Sequence, residues 1–188
     1  MNDYEETIVA IGNTVSVYSD QDNSVWGFGA KFNGQVRHVF QCGPNAKVQG
    51  VDGILEAYKS IFRSDLTMSG PTLFDQVIQT AAARAHKHKQ EGRKRYCVLL
   101  IITDGISQNM EETKRKLQVY MSVPLSVVFV GVGRSDFKTM HELSLYSNTT
   151  VVEFRQHQHD PTSLGKAALK EIPNQLVRYM TENGIQPN

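Results

Sequence analysis

Two short stretches of this 188-residue sequence place oxygen-bearing side chains where chemistry is commonly done. In Val98-Leu99-Leu100-Ile101-Ile102-Thr103-Asp104-Gly105 an apolar run ends abruptly in a carboxylate, and in Ser69-Gly70-Pro71-Thr72-Leu73-Phe74 a threonine hydroxyl follows a Gly-Pro pair that fixes the loop before a helix. Ligands of open α/β sheets collect at the carboxyl ends of the parallel strands, so Asp104 steps off its strand into the region where function sits. Each stretch also has a local reading. Asp104-Gly105 is a common exit turn from a strand, and Thr72 and Asp75 have the spacing of a capping box.

Other candidates are weaker. His157-Gln158-His159-Asp160 offers metal-ligating residue types without partners at compatible spacing, and reads as a polar loop before a helix opened by Ser163. Asp20-Gln21-Asp22-Asn23-Ser24 has the acids of a calcium loop but lacks its central glycine and closing glutamate, and reads as a helix-to-strand turn. Gly131-Val132-Gly133 follows a strand as a dinucleotide loop does, yet no third glycine, phosphate-gripping lysine or acidic ribose ligand accompanies it. No Gly-x-Ser-x-Gly elbow occurs, and neither Cys42 nor Cys97 has a nucleophile motif around it, so catalysis is not expected.

The elements that must position these residues alternate between helical and strand patterns. Ile8, Ile11, Val15 and Tyr18 mark an amphipathic helix over Thr7 to Tyr18. Val25 to Ala30 and Gln35 to Phe40 read as strands joined antiparallel by a turn at Asn33-Gly34. Helices are expected over Gly53 to Phe62 and Pro71 to Lys89, then over Met110 to Tyr120, Phe137 to Tyr146 and Ser163 to Met180. Between them, Tyr96 to Thr103 and Leu125 to Val132 are continuous Val/Ile/Leu-rich runs, the signature of parallel strands covered on both faces, and Thr150 to Phe154 is a last strand. The pattern predicts an α/β, doubly wound, mainly parallel sheet with helices on both faces.

Size and charge narrow the class. A chain of this length with 40% hydrophobic residues buries one substantial core, and one domain is the default. A net charge of +1 sets up no global field for nucleic acid or membrane. Met1 to Glu6 is polar and acidic, unlike a secretory signal. Two cysteines make neither a disulfide framework nor a metal pattern, and read as buried or half-buried thiols. The basic run Arg84 to Arg95 reads first as a solvated helix end, where cations suit the dipole, and second as a contact for anionic lipid, RNA or an acidic partner.

Taken in order, a loop threonine and an aspartate after a buried strand resemble the von Willebrand factor A (vWA) domain, in which such residues help bind a divalent cation in a metal-ion-dependent adhesion site (MIDAS). Whole segments narrow the resemblance. "WGFGAKF" (Trp26 to Phe32), "GVDGILEAY" (Gly50 to Tyr58), "SGPTLF", "VLLIITDG", "PLSVVFVGVG" (Pro124 to Gly133) and "EIPNQLVRYM" (Glu171 to Met180) occur in the order found in copines, and the last is a copine feature rather than a general vWA one. The likeness runs from about Tyr4 to Pro187.

The resemblance implies a vWA-like, Rossmann-type three-layer domain over residues 1–188 that recruits intracellular proteins without catalysis, with Thr72 and Asp104 as metal ligands of a partial MIDAS. The implied cation is Mg2+, or Mn2+ or Ca2+. The family's A domain begins with a central strand ending in an Asp-x-Ser/Thr-x-Ser motif, the first half of the ligand set. This chain starts after it, and Asp65-Leu66-Thr67-Met68-Ser69 matches the motif only by letter, having no apolar strand ahead of it. A truncated domain, a piece of a longer product, is therefore expected, with a weak or absent cation site in which water or a partner's carboxylate fills the vacant positions. Loss of a central strand would leave backbone groups costing about 1–3 kcal/mol each if dry and unpaired, against a total stability of about 5–15 kcal/mol.

In copines two C2 domains bind phospholipid with calcium, and these are absent here. A related branch joins a similar A domain to a RING finger in plant-type ubiquitin ligases, so a component of ubiquitin transfer is the alternative function, although two cysteines cannot build a RING. Leu73 stands where copines have asparagine, and Ser144-Leu145-Tyr146-Ser147-Asn148 where they carry acids, both removing polar groups from the functional face. The partners implied are intracellular proteins, with no sequence-specific nucleic acid and no membrane insertion. The expected location is the cytoplasm, or the cytosolic face of membranes in a longer form.

Overall fold

The structure is a computed structural model that describes residues 1–16, 22–32 and 34–186. Helix α1 (Asp3–Val15) opens on a capping box: Asn2 Oδ1 accepts from the Glu5 N–H at 2.9 Å, and the Glu5 carboxylate accepts from the Asn2 N–H at 3.2 Å. Six short strands follow: β1 (Asp22–Asn23), β2 (Trp26–Gly27), β3 (Ala30–Phe32), β4 (Gln35–Arg37), β5 (Phe40–Gln41) and β6 (Val48–Gln49). Then come α2 (Gly50–Ile61), β7 (Thr67–Met68), α3 (Phe74–Gln90), β8 (Cys97–Thr103), α4 (Met110–Val119), β9 (Leu125–Gly131), α5 (Lys138–His141), β10 (Thr149–Glu153), α6 (Pro161–Leu169) and α7 (Ile172–Glu182).

The central sheet is parallel, in the order β10-β9-β8, with Phe129 of β9 in register with Ile101 of β8 and Val151 of β10. Every residue of β9 is buried. Side chains alternate across a strand, so a strand covered on both faces has to be apolar throughout. Val127 and Phe129 join Leu99 and Ile101 in a core closed by Phe74, Val77, Ile78 and Ala81 of α3 and Leu117 of α4. Val128 and Val130 point the other way, into a core closed by Ala10 and Ile11 of α1 and by Leu164 and Ala168 of α6. Three layers result, as expected. β8 is an edge: among the described residues no strand lies on its outer side.

The strands before α3 form antiparallel pairings, β3 with β4 and β7, β2 with β5, and β1 with β6. The expected hairpin is borne out in two pieces. Gly34 has a φ of +78°, as its turn requires, while Asn33 lies outside the described residues. Trp26, Phe28 and Val39 pack on the α3 side of the core, and the Phe28 ring meets Phe74 edge-on at 6.0 Å. Tyr18 and the first two residues of Asp20-Gln21-Asp22-Asn23-Ser24 also fall outside the described residues.

Four local expectations are corrected. Ser163 to Met180 is two helices, because Pro173 has no N–H to continue an α-helical ladder and takes a first-turn position in α7 instead. The first of them starts at Pro161, not Ser163, with Asp160 as its cap: Asp160 Oδ1 accepts from the Thr162 and Ser163 N–H groups. The capping box of Thr72 and Asp75 does not form, since α3 begins at Phe74 with Leu73 as a cap that makes no side-chain bond. Phe137 to Tyr146 shortens to the single turn of α5 followed by a 3-10 turn over Glu142–Leu145.

Helix α6 sits close on α1 because Gly165 carries no Cβ: one built there would stand 2.4 Å from Thr14 Oγ1 and 2.9 Å from the Ala10 carbonyl oxygen. Gly165→Ala should therefore destabilise the fold by about 1–3 kcal/mol, as overpacking does. Phe129→Ala, which empties the middle of the other core, should cost about 3–5 kcal/mol. Urea unfolding midpoints check both, and a Gly165→Ala midpoint equal to the parent's would refute the close crossing.

Candidate functional site

The carboxyl ends of β8 and β9, the Thr72 loop and the first turn of α1 meet at one pole of the sheet. Thr103 ends β8 with its Oγ1 accepting from the Gly105 N–H at 3.2 Å, so the exit turn is closed by threonine and not by the aspartate. Asp104 is left exposed. Its main-chain carbonyl accepts from the Ser135 hydroxyl, in the loop after β9. Thr72 belongs to the same cluster: its carbonyl accepts from the Gln108 N–H at 3.1 Å and from Ser107 Oγ at 3.2 Å, docking its loop on the segment that leaves Asp104. The two residues singled out in the sequence thus lie on adjoining, hydrogen-bonded loops.

Helix α1 adds two residues that sequence reasoning missed. Asp3 Oδ2 accepts from the Gly133 N–H at 3.2 Å, placing a second carboxylate at the carboxyl end of the sheet. The Tyr4 phenol lies beside Asp104, close enough for the carboxylate charge to act on it. Its ring stacks on Tyr58 of α2, centroids 6.0 Å apart, and Asn2 Nδ2 donates to the Tyr58 hydroxyl at 3.4 Å. Burial first, and the Asp104 charge next, hold the Tyr4 phenol protonated well above the pH at which a free tyrosine ionises. The signal in the sequence is the acidic first turn, Asp3, Glu5 and Glu6, which puts carboxylates at the helix start without showing what they face.

Chemically the pole gathers hard oxygen donors: the Asp3 and Asp104 carboxylates and the Ser135 hydroxyl, with the Thr72 loop docked beside them through its main-chain carbonyl. A carboxylate has about four lone-pair sites, so Asp104, exposed beside the Tyr4 phenol, can accept several hydrogen bonds or metal contacts. Among the described residues no group of three or more His, Cys, Asp or Glu is arranged to hold a metal ion. A cavity of about 860 Å³ lies elsewhere, between Gln35–Val39 on one side and α3 and α4 on the other, and neither Thr72 nor Asp104 lines it.

Of the other sequence candidates, the Gly131-Val132-Gly133 turn reaches the pole through the Gly133 N–H, while the histidine and cysteine candidates do not join it. His157 Nδ1 pairs with Ser163 Oγ at 2.7 Å, a local contact at the start of α6. Both cysteines are free, Cys42 buried and Cys97 half-buried, and burial pushes the Cys42 thiol up to about 12 and raises Cys97 as well. Neither is a thiolate at neutral pH. Among the described residues no helix is long and apolar enough to cross a membrane.

Comparison with known proteins covers the whole chain. The family described as Copine matches residues 1–188. Copine-E of Dictyostelium discoideum is 33% identical over 204 residues, covering 100% of this chain and 35% of that protein. Copine-C of the same organism is 37% identical over 203 residues, covering 98% of the chain and 38% of the relative. Protein BONZAI 1 of Arabidopsis thaliana is 34% identical over 207 residues, covering 100% and 36%. The chain spans little more than a third of the length of these relatives.

The contact between Tyr4 and Asp104 can be read by titration. The folded state keeps the phenolic proton, so the stability it confers is full below the free-tyrosine pKa of about 10 and is lost as pH rises beyond it. Asp104→Asn should move one tyrosine's ionisation to lower pH, though not to the free value, because burial remains the larger cause. An alkaline absorbance titration identical to the parent's would rule the contact out.

Proposed function

We propose, from the premise that the chain belongs to the copine family, that it is a non-catalytic domain binding protein partners at the carboxyl-end pole, with a divalent cation held between Thr72 and Asp104. The observation that carries this reading is the docking of the Thr72 loop onto the segment leaving Asp104, through the bonds from Gln108 and Ser107. Two oxygen-bearing residues far apart in sequence are thereby brought to one rim, on loops that a sheet buried on both faces holds in place.

Magnesium takes about six oxygens and keeps several waters, so a site with one carboxylate and one hydroxyl leaves most of the shell to water or to a partner. An acidic partner side chain supplies the oxygen that the site lacks. Asp3, held by the Gly133 N–H, adds negative potential beside the cation without being required as a ligand. Manganese and calcium are accommodated by the same donors. The partners that fit are intracellular proteins presenting a carboxylate. The absence of a nucleophile motif and the protonated thiols support a binding role over a catalytic one.

The test is thermal unfolding followed by the half-buried Trp26, in EDTA and in magnesium, manganese or calcium. At a cation concentration about a hundredfold above its dissociation constant, the parent should gain about 2.7 kcal/mol. Asp104→Ala should gain nothing and Thr72→Ala less than the parent. A transition that cations leave unmoved in the parent would overturn the cation site and leave the pole a metal-independent binding face.

A further inference from the structure

The opposite pole is made by the loops that enter the parallel strands: residues 91–96 before β8, 120–124 before β9 and 144–148 before β10. Helix α7 lies against them. Gln175 Oε1 accepts from the Ser126 hydroxyl, the Tyr96 and Tyr179 rings lie 5.9 Å apart, and Arg178 Nη1 donates to the Ser147 carbonyl at 3.2 Å. Lys89 Nζ, in the last turn of α3, donates to Asn183 Oδ1 at 2.9 Å, bringing that helix end to the same place. Neighbouring strands are about 4.8 Å apart, so the three loops form a continuous surface.

Charge is concentrated there. Residues 84–95 carry six Lys or Arg against one Glu, in a chain with 20 basic and 19 acidic residues in all, so the remainder of the molecule is net acidic. Arg84 turns away to Ser24 Oγ. Lys87, Lys89, Arg93, Lys94 and Arg95 stay at the pole and are exposed, joined by Arg178. Glu91 meets Lys87 at 3.9 Å and Arg93 at 3.0 Å, and Glu171 and Glu182 are the acids of the neighbouring helix segment.

Apolar side chains protrude beside the cations. Leu145 is 87% exposed, Val177 61%, Val119 55% and Met121 42%. Met121 is joined to the charge through Ser147, whose hydroxyl donates to Met121 Sδ at 3.7 Å while its carbonyl accepts from Arg178, and Val177 is the chain neighbour of Arg178. Cations interleaved with exposed aliphatic side chains suit the headgroup boundary of a membrane, where both kinds of group are satisfied at once.

We infer that this pole adsorbs directly to anionic phospholipid surfaces, without calcium. A single-stranded nucleic acid needs open aromatic platforms, whereas Tyr96, Tyr120 and Tyr146 are half-buried here, Tyr96 is packed at a tilt on Tyr179, and Tyr179 is only 8% exposed. An acidic helix needs a groove, and the large cavity lies between β4, α3 and α4 instead. Among the described residues no acidic cluster is placed to hold a bridging calcium ion, so the attraction is between lysine or arginine and lipid phosphate. Each such cation contributes about a fivefold gain in partitioning. The carboxyl-end pole then points away from the lipid, and the adsorption stands whether or not a cation binds between Thr72 and Asp104.

Sedimentation with vesicles tests it, using the 188-residue chain in EDTA with phosphatidylcholine alone or mixed with phosphatidylserine. The parent should sediment only with the mixed vesicles and be released as salt rises from about 0.1 M to about 1 M, where the screening length falls to about 3 Å. The triple variant Arg93→Glu, Lys94→Glu, Arg95→Glu should lose at least about tenfold in binding. Leu145→Gln should weaken it severalfold without moving the thermal midpoint, and covers the case in which the triple variant fails to fold. A calcium requirement, equal sedimentation with phosphatidylcholine alone, or undiminished binding by both variants would overturn the inference. So would capture of a polyuridine or polyglutamate probe, with no binding to mixed vesicles, which would reassign the pole to that partner.

Discussion

The complete burial of β9 is the constraint on which the rest of the molecule depends. A strand between two neighbours satisfies its backbone laterally, but its side chains emerge on both faces and both must be covered. Phe129 and Val127 demand a layer on one side, Val128 and Val130 a layer on the other. Helices α3 and α4 supply the first, α1 and α6 the second. The small parallel sheet is thus defined less by the strands it contains than by the helices it forces onto both surfaces.

Polarity follows from that layering. Parallel strands send all their carboxyl ends to one pole and all their amino ends to the other, and the returning helices divide the connecting loops between the two. Asp104, Gly133, the Thr72 loop and the start of α1 come together at the first pole, which is rich in oxygen donors. The second collects the C-terminal turn of α3, whose lysines suit the negative end of its dipole, and the loop that follows. A chain with almost balanced charge is therefore uneven in space.

Much of this was legible in the sequence because parallel strands write themselves plainly. The unbroken apolar runs at Val98 to Thr103 and Leu125 to Gly131 have no other economical explanation, and an aspartate stepping off one of them marks the sheet's carboxyl end. The site was legible by half. Thr72 and Asp104 carry recognisable local context, but Asp3 and Tyr4 reach the pole only through the packing of α1, and a tertiary contact between residues about a hundred positions apart leaves no periodic trace. The capping box at Thr72 misled because spacing alone says nothing of whether the helix opens one residue later, as it does at Phe74. The break between α6 and α7 was marked by Pro173, and the apolar periodicity running through it masked the signal. Gly165 gave no warning, since the need for a missing Cβ arises from the crossing partner and not from the helix that carries it.

Helix α1 carries both ends of this arrangement on thirteen residues. Its first turn touches the candidate site through Asp3 and Tyr4, its middle sets Ala10 and Ile11 into the core, and Thr14 abuts Gly165. An element so attached has no independent hinge: to swing its first turn clear, it must either fray from its capping box or withdraw its apolar stripe from beneath β9. Exchange of its central amides with solvent water therefore reports the opening of the α1–α6 layer as a unit, and whatever tightens Asp104 against Tyr4 slows that opening from the far end of the helix.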